Sequence, residues 1–129
     1  MNHDLEDLVW NRAAMESGGD TPGPGDRALT ALLRLHGLVM NGGVHHAMEV
    51  LNPAELCAAS DGFSYFGFES VGSFFRSASP MLAECTDETE VAADRRYSEL
   101  VPDDEHLFRR FQNVFRERAD QFAPIDPGL

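Results

Sequence analysis

The chain has 129 residues and carries 22 acidic side chains against ten basic ones, a formal net charge of -12. All ten bases are arginine and there is no lysine, so the protein repels nucleic-acid phosphates and anionic membranes and attracts basic surfaces. An apolar share of 43%, just under the usual globular range of about 45–50%, is enough for a real core and excludes global disorder.

This length suits one domain, read here as residues 1–129. No apolar run is long enough to span a bilayer. Met1 to Trp10 lacks the apolar centre of a secretory signal, so a cytoplasmic location is expected. Cys57 and Cys85 are too few for a disulfide framework and are expected to be reduced, semi-buried small hydrophobes.

Turn signals separate one helical pattern after another, and no stretch alternates with period two; the expected fold class is all-α, a single compact domain of about six or seven helices. Leu5, Leu8, Val9 and Ala13 fall at helical spacing behind a capping Asn2, predicting a first helix from about residue 3 to 17. The Gly/Pro-rich stretch 18–25 is a loop. Asp26 is placed to cap a second helix in which Leu29, Leu32, Leu33 and His36 share a face, and Asn41-Gly42-Gly43 ends it after Met40. A short helix from Val44 to Leu51 follows, and Asn52-Pro53 opens the next with a cap and a first-turn proline.

Residues 63–78 are rich in phenylalanine, with Gly62, Gly67 and Gly72 interleaved. The spacing of Phe68, Val71, Phe75 and Ala78 favours helix broken near Gly67, and the glycines are expected to permit a kink or close helix crossing. Thr86 or Asp87 can cap a helix reaching about Leu100, with Glu90 placed for a capping box. A last helix carries Leu107, Phe108, Phe111, Val114, Phe115 and Phe122 behind the acidic start Asp103-Asp104-Glu105.

The acid is unevenly spread. Residues 81–106 hold nine acids against Arg95 and Arg96, a net of -7, and residues 1–25 hold five against Arg12, a net of -4. Residues 107–129 hold four arginines and three acids. Asp4, Glu6 and Asp7, then Asp87, Glu88 and Glu90, then Asp103, Asp104 and Glu105 lie near predicted helix starts, where each carboxylate gains about 0.3–1 kcal/mol from the exposed N–H groups. Helix electrostatics explains placement but not the excess, because it does not require bases to be absent elsewhere. Carboxylates one turn apart, such as Glu84 with Glu88, or the row Asp87, Glu90 and Asp94, could present a face to a groove built for DNA backbone.

His36, His45, His46 and Glu49 form the one cluster with enough potential ligands for zinc, although its spacing matches no common metalloenzyme pattern. Neither cysteine sits in a nucleophile motif, Ser64, Ser70 and Ser73 lie in no Gly-x-Ser-x-Gly elbow, and no phosphate loop or cofactor motif occurs.

Three stretches carry a resemblance: Val39-Met40-Asn41-Gly42-Gly43-Val44-His45-His46-Ala47, then Phe68 to Ala78, then Asp94-Arg95-Arg96-Tyr97-Ser98-Glu99-Leu100 with the helix that follows. Together, over residues 30–122, they resemble the small helical DNA-mimic-protein family, in which Asn41, Gly42 and Gly43 would be the structural motif. Val44 stands where that family usually has an aromatic. The resemblance implies an acidic all-α protein occupying the DNA-binding surface of a transcription factor.

The expected function is therefore non-enzymatic: an acidic module that binds a basic protein surface, such as that of a DNA-binding regulator, without direct nucleic-acid or membrane contact and without cofactor. Its contacts would be Glu84, Asp87, Glu88, Glu90 and Asp94, with Asp103, Asp104 and Glu105 adjoining. The alternatives are an immunity or antitoxin protein, and a small metal-dependent enzyme using His36, His45, His46 and Glu49.

Overall fold

The computed structural model describes residues 2–77 and 86–125, which form seven α-helices and no strand. In chain order these are α1 (Asn2–Glu16), α2 (Pro24–Gly42), α3 (Val44–Val50), α4 (Pro53–Tyr65), α5 (Glu69–Arg76), α6 (Asp87–Leu100) and α7 (Asp104–Glu117), followed by a 3-10 turn, Ala119–Gln121. None of these helices is long and apolar enough to cross a membrane. Ala78, Glu84 and Cys85 lie outside the described residues.

The helix boundaries follow local chemistry. Asn52 Oδ1 accepts the Glu55 N–H at 2.8 Å while Glu55 Oε1 accepts the Asn52 N–H at 3.1 Å, a reciprocal cap ahead of Pro53. Thr86 caps α6, but its reciprocal partner is Thr89 rather than the expected Glu90, because Thr89 occupies the third helical position. Asp103 caps α7 by accepting the His106 N–H at 2.9 Å. The helix break expected near Gly67 is present, with that residue at φ 88°, a left-handed conformation that favours glycine.

Helix α2 runs through the centre and packs most extensively on α4. Gly62 of α4 makes that crossing possible, since a β-carbon there would collide with the Ala28 carbonyl oxygen; Gly72 does the same for α5 against Ser60 and Ser64. The core joins Leu29, Leu32, Leu35 and Val39 of α2 with Phe63, Phe66, Phe75, Tyr97, Leu107, Phe111 and Phe122. Each fully buried phenylalanine or leucine contributes roughly 1.5–3 kcal/mol relative to exposure.

Four further expectations need correction. On α1, Leu5 and Leu8 are exposed at 43% and 48%, whereas Glu6 is 1% exposed beside Val9 and Ala13. The buried face is turned towards Trp10, whose ring meets Phe108 at 5.1 Å and Phe111 at 5.6 Å, and Glu6 is held there by Gln112 Nε2 at 2.7 Å and Arg116 Nε at 3.0 Å. Asp26 is not the cap of α2, which begins two residues earlier at Pro24. Fully buried, it accepts from the Gly23 N–H at 2.9 Å, Arg12 Nη2 at 2.9 Å and the Ala123 N–H at 2.6 Å. Phe122 lies beyond the last helix, because α7 ends at Glu117; the 3-10 turn folds its ring back to 5.7 Å from Phe111 and 5.2 Å from Phe115. Cys57 is exposed rather than semi-buried, since it lies on the outer side of α4.

Candidate interaction surface on α6 and α7

Helices α6 and α7, with Asp103 as the cap of α7, carry all the described acids expected to meet a partner. Asp87 and Glu88, in the first turn of α6, are exposed and form no ion pair or hydrogen bond among the described residues. Glu90 is half-buried one turn on. The row does not continue outward to Asp94, which turns in towards the Asn-Gly-Gly segment.

That segment joins α2 to α3. Gly43 has φ 93° and ψ 173°, a conformation open to glycine and costly for other residues. A side chain at Gly43 would also meet both Asp94 carboxylate oxygens at 3.1 Å. Asp94 Oδ1 accepts the Val44 N–H at 2.8 Å, so a carboxylate from α6 caps the start of α3 where no local side chain does. Gly43 therefore lets α6 approach the α2–α3 corner, while Gly42 leaves room for the His46 ring of α3. A shallow, open cleft of about 360 Å³ lies there, lined by Val39 to Gly43, Asp94, Tyr97 and Ser98.

One turn beyond Asp94, the Tyr97 hydroxyl lies 2.6 Å from His36 Nδ1, and His36 Nε2 lies 2.6 Å from Asp104 Oδ1. A neutral imidazole protonated on Nε2 satisfies the whole chain: Tyr97 O–H donates to Nδ1 and Nε2–H donates to the carboxylate. Burial, reinforced by the Asp104 carboxylate, pushes the Tyr97 hydroxyl well above its ordinary value of 10.0. Asp104 thus joins α7 to α2 through a buried histidine while its own side chain remains 78% exposed.

The other acids at the start of α7 are engaged locally. Asp103 accepts from His106 Nδ1 at 2.8 Å as well as from its N–H, and these bonds hold its carboxyl below its ordinary 3.8. Glu105 pairs with Arg109 at 2.9 Å, an exposed contact that contributes roughly 0.3–0.5 kcal/mol. Both carboxylates remain more than half exposed and can still face a partner.

The histidine cluster does not assemble. His36 has both ring nitrogens engaged by Tyr97 and Asp104, His45 is buried, His46 packs against Gly42, and Glu49 is exposed. Among the described residues no three His, Cys, Asp or Glu side chains come together in a group able to hold a metal ion.

Sequence reasoning missed the buried carboxylates Glu6 and Asp26 and the Tyr97–His36–Asp104 chain. Their partners lie 61 to 110 residues away, except Arg12 and Gly23 beside Asp26. One local signal existed: Glu6 shares a helical face with Trp10 and Ala13, at spacings of four and three. No protein-family model matches the chain, and neither a curated protein nor a solved structure matches it.

Proposed function

We propose that this protein is a non-enzymatic acidic module that engages a basic protein surface, the DNA-contacting face of a regulator being the occupant that its family resemblance implies. The observation that carries the reading is the exposed pair Asp87 and Glu88, left without a cation among the described residues of a chain with net charge -12. Asp103, Asp104 and Glu105 extend the exposed acid onto α7. Such charges mainly accelerate encounter and set register, so binding should weaken steeply with salt.

The test is affinity capture from native lysate at low salt, with the eluted proteins identified and each assayed for DNA binding. The expected result is a basic DNA-binding protein, released by moderate salt and displaced from its DNA by the acidic chain. Replacing Asp87 and Glu88 with asparagine and glutamine should reduce capture about tenfold without changing the helical signal. Recovery of no basic protein at low salt would refute the proposal.

A further inference from the structure

At the end of α2 a carboxylate and a helix carbonyl end come together, and among the described residues the donor that meets the carboxylate is the Val44 N–H. Helix α2 is 19 residues long, has no basic residue in its last turn, and ends at Gly42. The last carbonyls of a helix lack intrahelical partners and carry partial negative charge, which favours a cation beside them. The Asp94 carboxylate reaches the same place from α6, spending one oxygen on the Val44 N–H. A carboxylate has about four lone-pair positions, so acceptor capacity remains. Yet among the described residues no arginine or histidine lines the cleft there.

The walls suit a flat cation with an apolar stem. Gly42 and Gly43 line the cleft without a side chain, Tyr97 lines it too, and Met40 beside them has 67% of its surface exposed. An exposed methionine with no core role offers a polarizable contact for an incoming side chain. At about 360 Å³ the space is many times the roughly 30 Å³ share of a single water.

We infer that this cleft receives an arginine side chain of the basic partner, its guanidinium held between Asp94 and the carbonyl end of α2, with Met40 against its stem. The inference rests on the proposed binding function and assigns its anchor. Arginine is favoured over lysine because its planar fork presents five donors and can bond a carboxylate and neighbouring carbonyls together, whereas an ammonium acts as a strongly hydrated point charge. The anchor therefore lies at the Asn-Gly-Gly corner, and the exposed acids Asp87 and Glu88 act as the steering rim.

The test is a titration of the full chain, labelled with nitrogen-15, with acetyl-arginine-amide and separately with acetyl-lysine-amide. The expected result is saturable shifts at Gly43, Val44 and Ser98, at least fivefold tighter for the arginine compound. Asp94→Asn keeps an oxygen to accept the Val44 N–H while removing the charge, and should weaken arginine binding at least tenfold. Ser98→Arg, at an exposed helical position, should block the cleft from within if Asp94→Asn proves unstable. Shifts spread evenly over Asp87, Glu88, Asp103 and Glu105 would overturn the inference, as would unchanged binding by a folded Asp94→Asn protein or, where that variant is unstable, by Ser98→Arg. If the lysate capture succeeds and this titration fails, the binding function stands and the anchor is wrong; if the reverse holds, the cleft stands and the acidic-partner reading fails.

Discussion

The buried Asp26 offers the most demanding test of the packing argument. Asp26→Asn is nearly isosteric, so it leaves no cavity, but it removes the charge and turns one acceptor into an NH2 group. Three donors converge on that carboxylate: Arg12 Nη2, the Gly23 N–H and the Ala123 N–H. Asparagine would aim a donor at one of them and leave the Arg12 guanidinium, 13% exposed, without its counter-charge. Removing one partner of a buried pair costs about 3–5 kcal/mol. A stability of about 0.05–0.15 kcal/mol per residue puts the whole fold at roughly 6–19 kcal/mol, so the loss is a large fraction of it. Urea unfolding followed by helical circular dichroism should show a midpoint lowered by about 2 M, taking a slope of about 2 kcal/mol per molar. Arg12→Met, measured alone and together with Asp26→Asn, completes a double-mutant cycle. The double variant should be about 1–3 kcal/mol more stable than the sum of the single losses predicts. A cost below about 1 kcal/mol for Asp26→Asn, or strict additivity, would refute the account of Asp26 as the acceptor that closes this corner.

Three further outcomes are expected. Gly62→Ala should lower stability by about 2 kcal/mol or more in the same urea assay, because its β-carbon collides with the Ala28 carbonyl oxygen, whereas Gly37→Ala, which meets nothing within 4 Å inside α2, should raise it by about 0.5–1 kcal/mol. The Asp103 carboxyl is held below 3.8 by His106, so its contribution to stability is complete above that value and disappears as pH falls through its lower folded value; Asp103→Asn should flatten the acid limb of a thermal-melt series there. Tyr97 is shifted in the opposite direction, so its contribution holds below pH 10 and declines above it, and absorbance at 295 nm should show Tyr97 ionising only as the protein unfolds.

The all-α class was legible because helix punctuation is local. Asn52-Pro53, Thr86 and Asp103 each act on backbone within a few residues and appear where their chemistry requires, whereas α2 runs past Met40 through Asn41 and Gly42 and stops only at Gly43. The exposure of Asp87 and Glu88 was legible for the same reason. Where the reading failed, the deciding partner was remote. The face of α1 is set by Phe108 and Phe111 against Trp10 and by Arg116 against Glu6, none of which periodicity within α1 reports. Asp94 looked like one member of an outward acidic row, but the α2–α3 corner takes it as a cap. His36 looked like a metal ligand, but Tyr97 and Asp104 use both its nitrogens. A carboxylate or imidazole read locally has only a charge and a face; its role is assigned by whatever donor the fold later brings to it.

The two buried carboxylates also tie the fold to vectorial synthesis. Glu6 and Asp26 are synthesised about 100 residues before Gln112, Arg116 and the Ala123 N–H, which complete their hydrogen bonding. Until then, burying Glu6 leaves an uncompensated charge in an apolar interior, so α1 has no favourable native seat. A chain ending before α7 lacks Phe108, Phe111, Gln112 and Arg116, the groups that cover Trp10 and satisfy Glu6 in the finished fold. Both ends of the chain thus complete one another: α1 is seated by groups of α7, and the start of α2 by the backbone after the 3-10 turn.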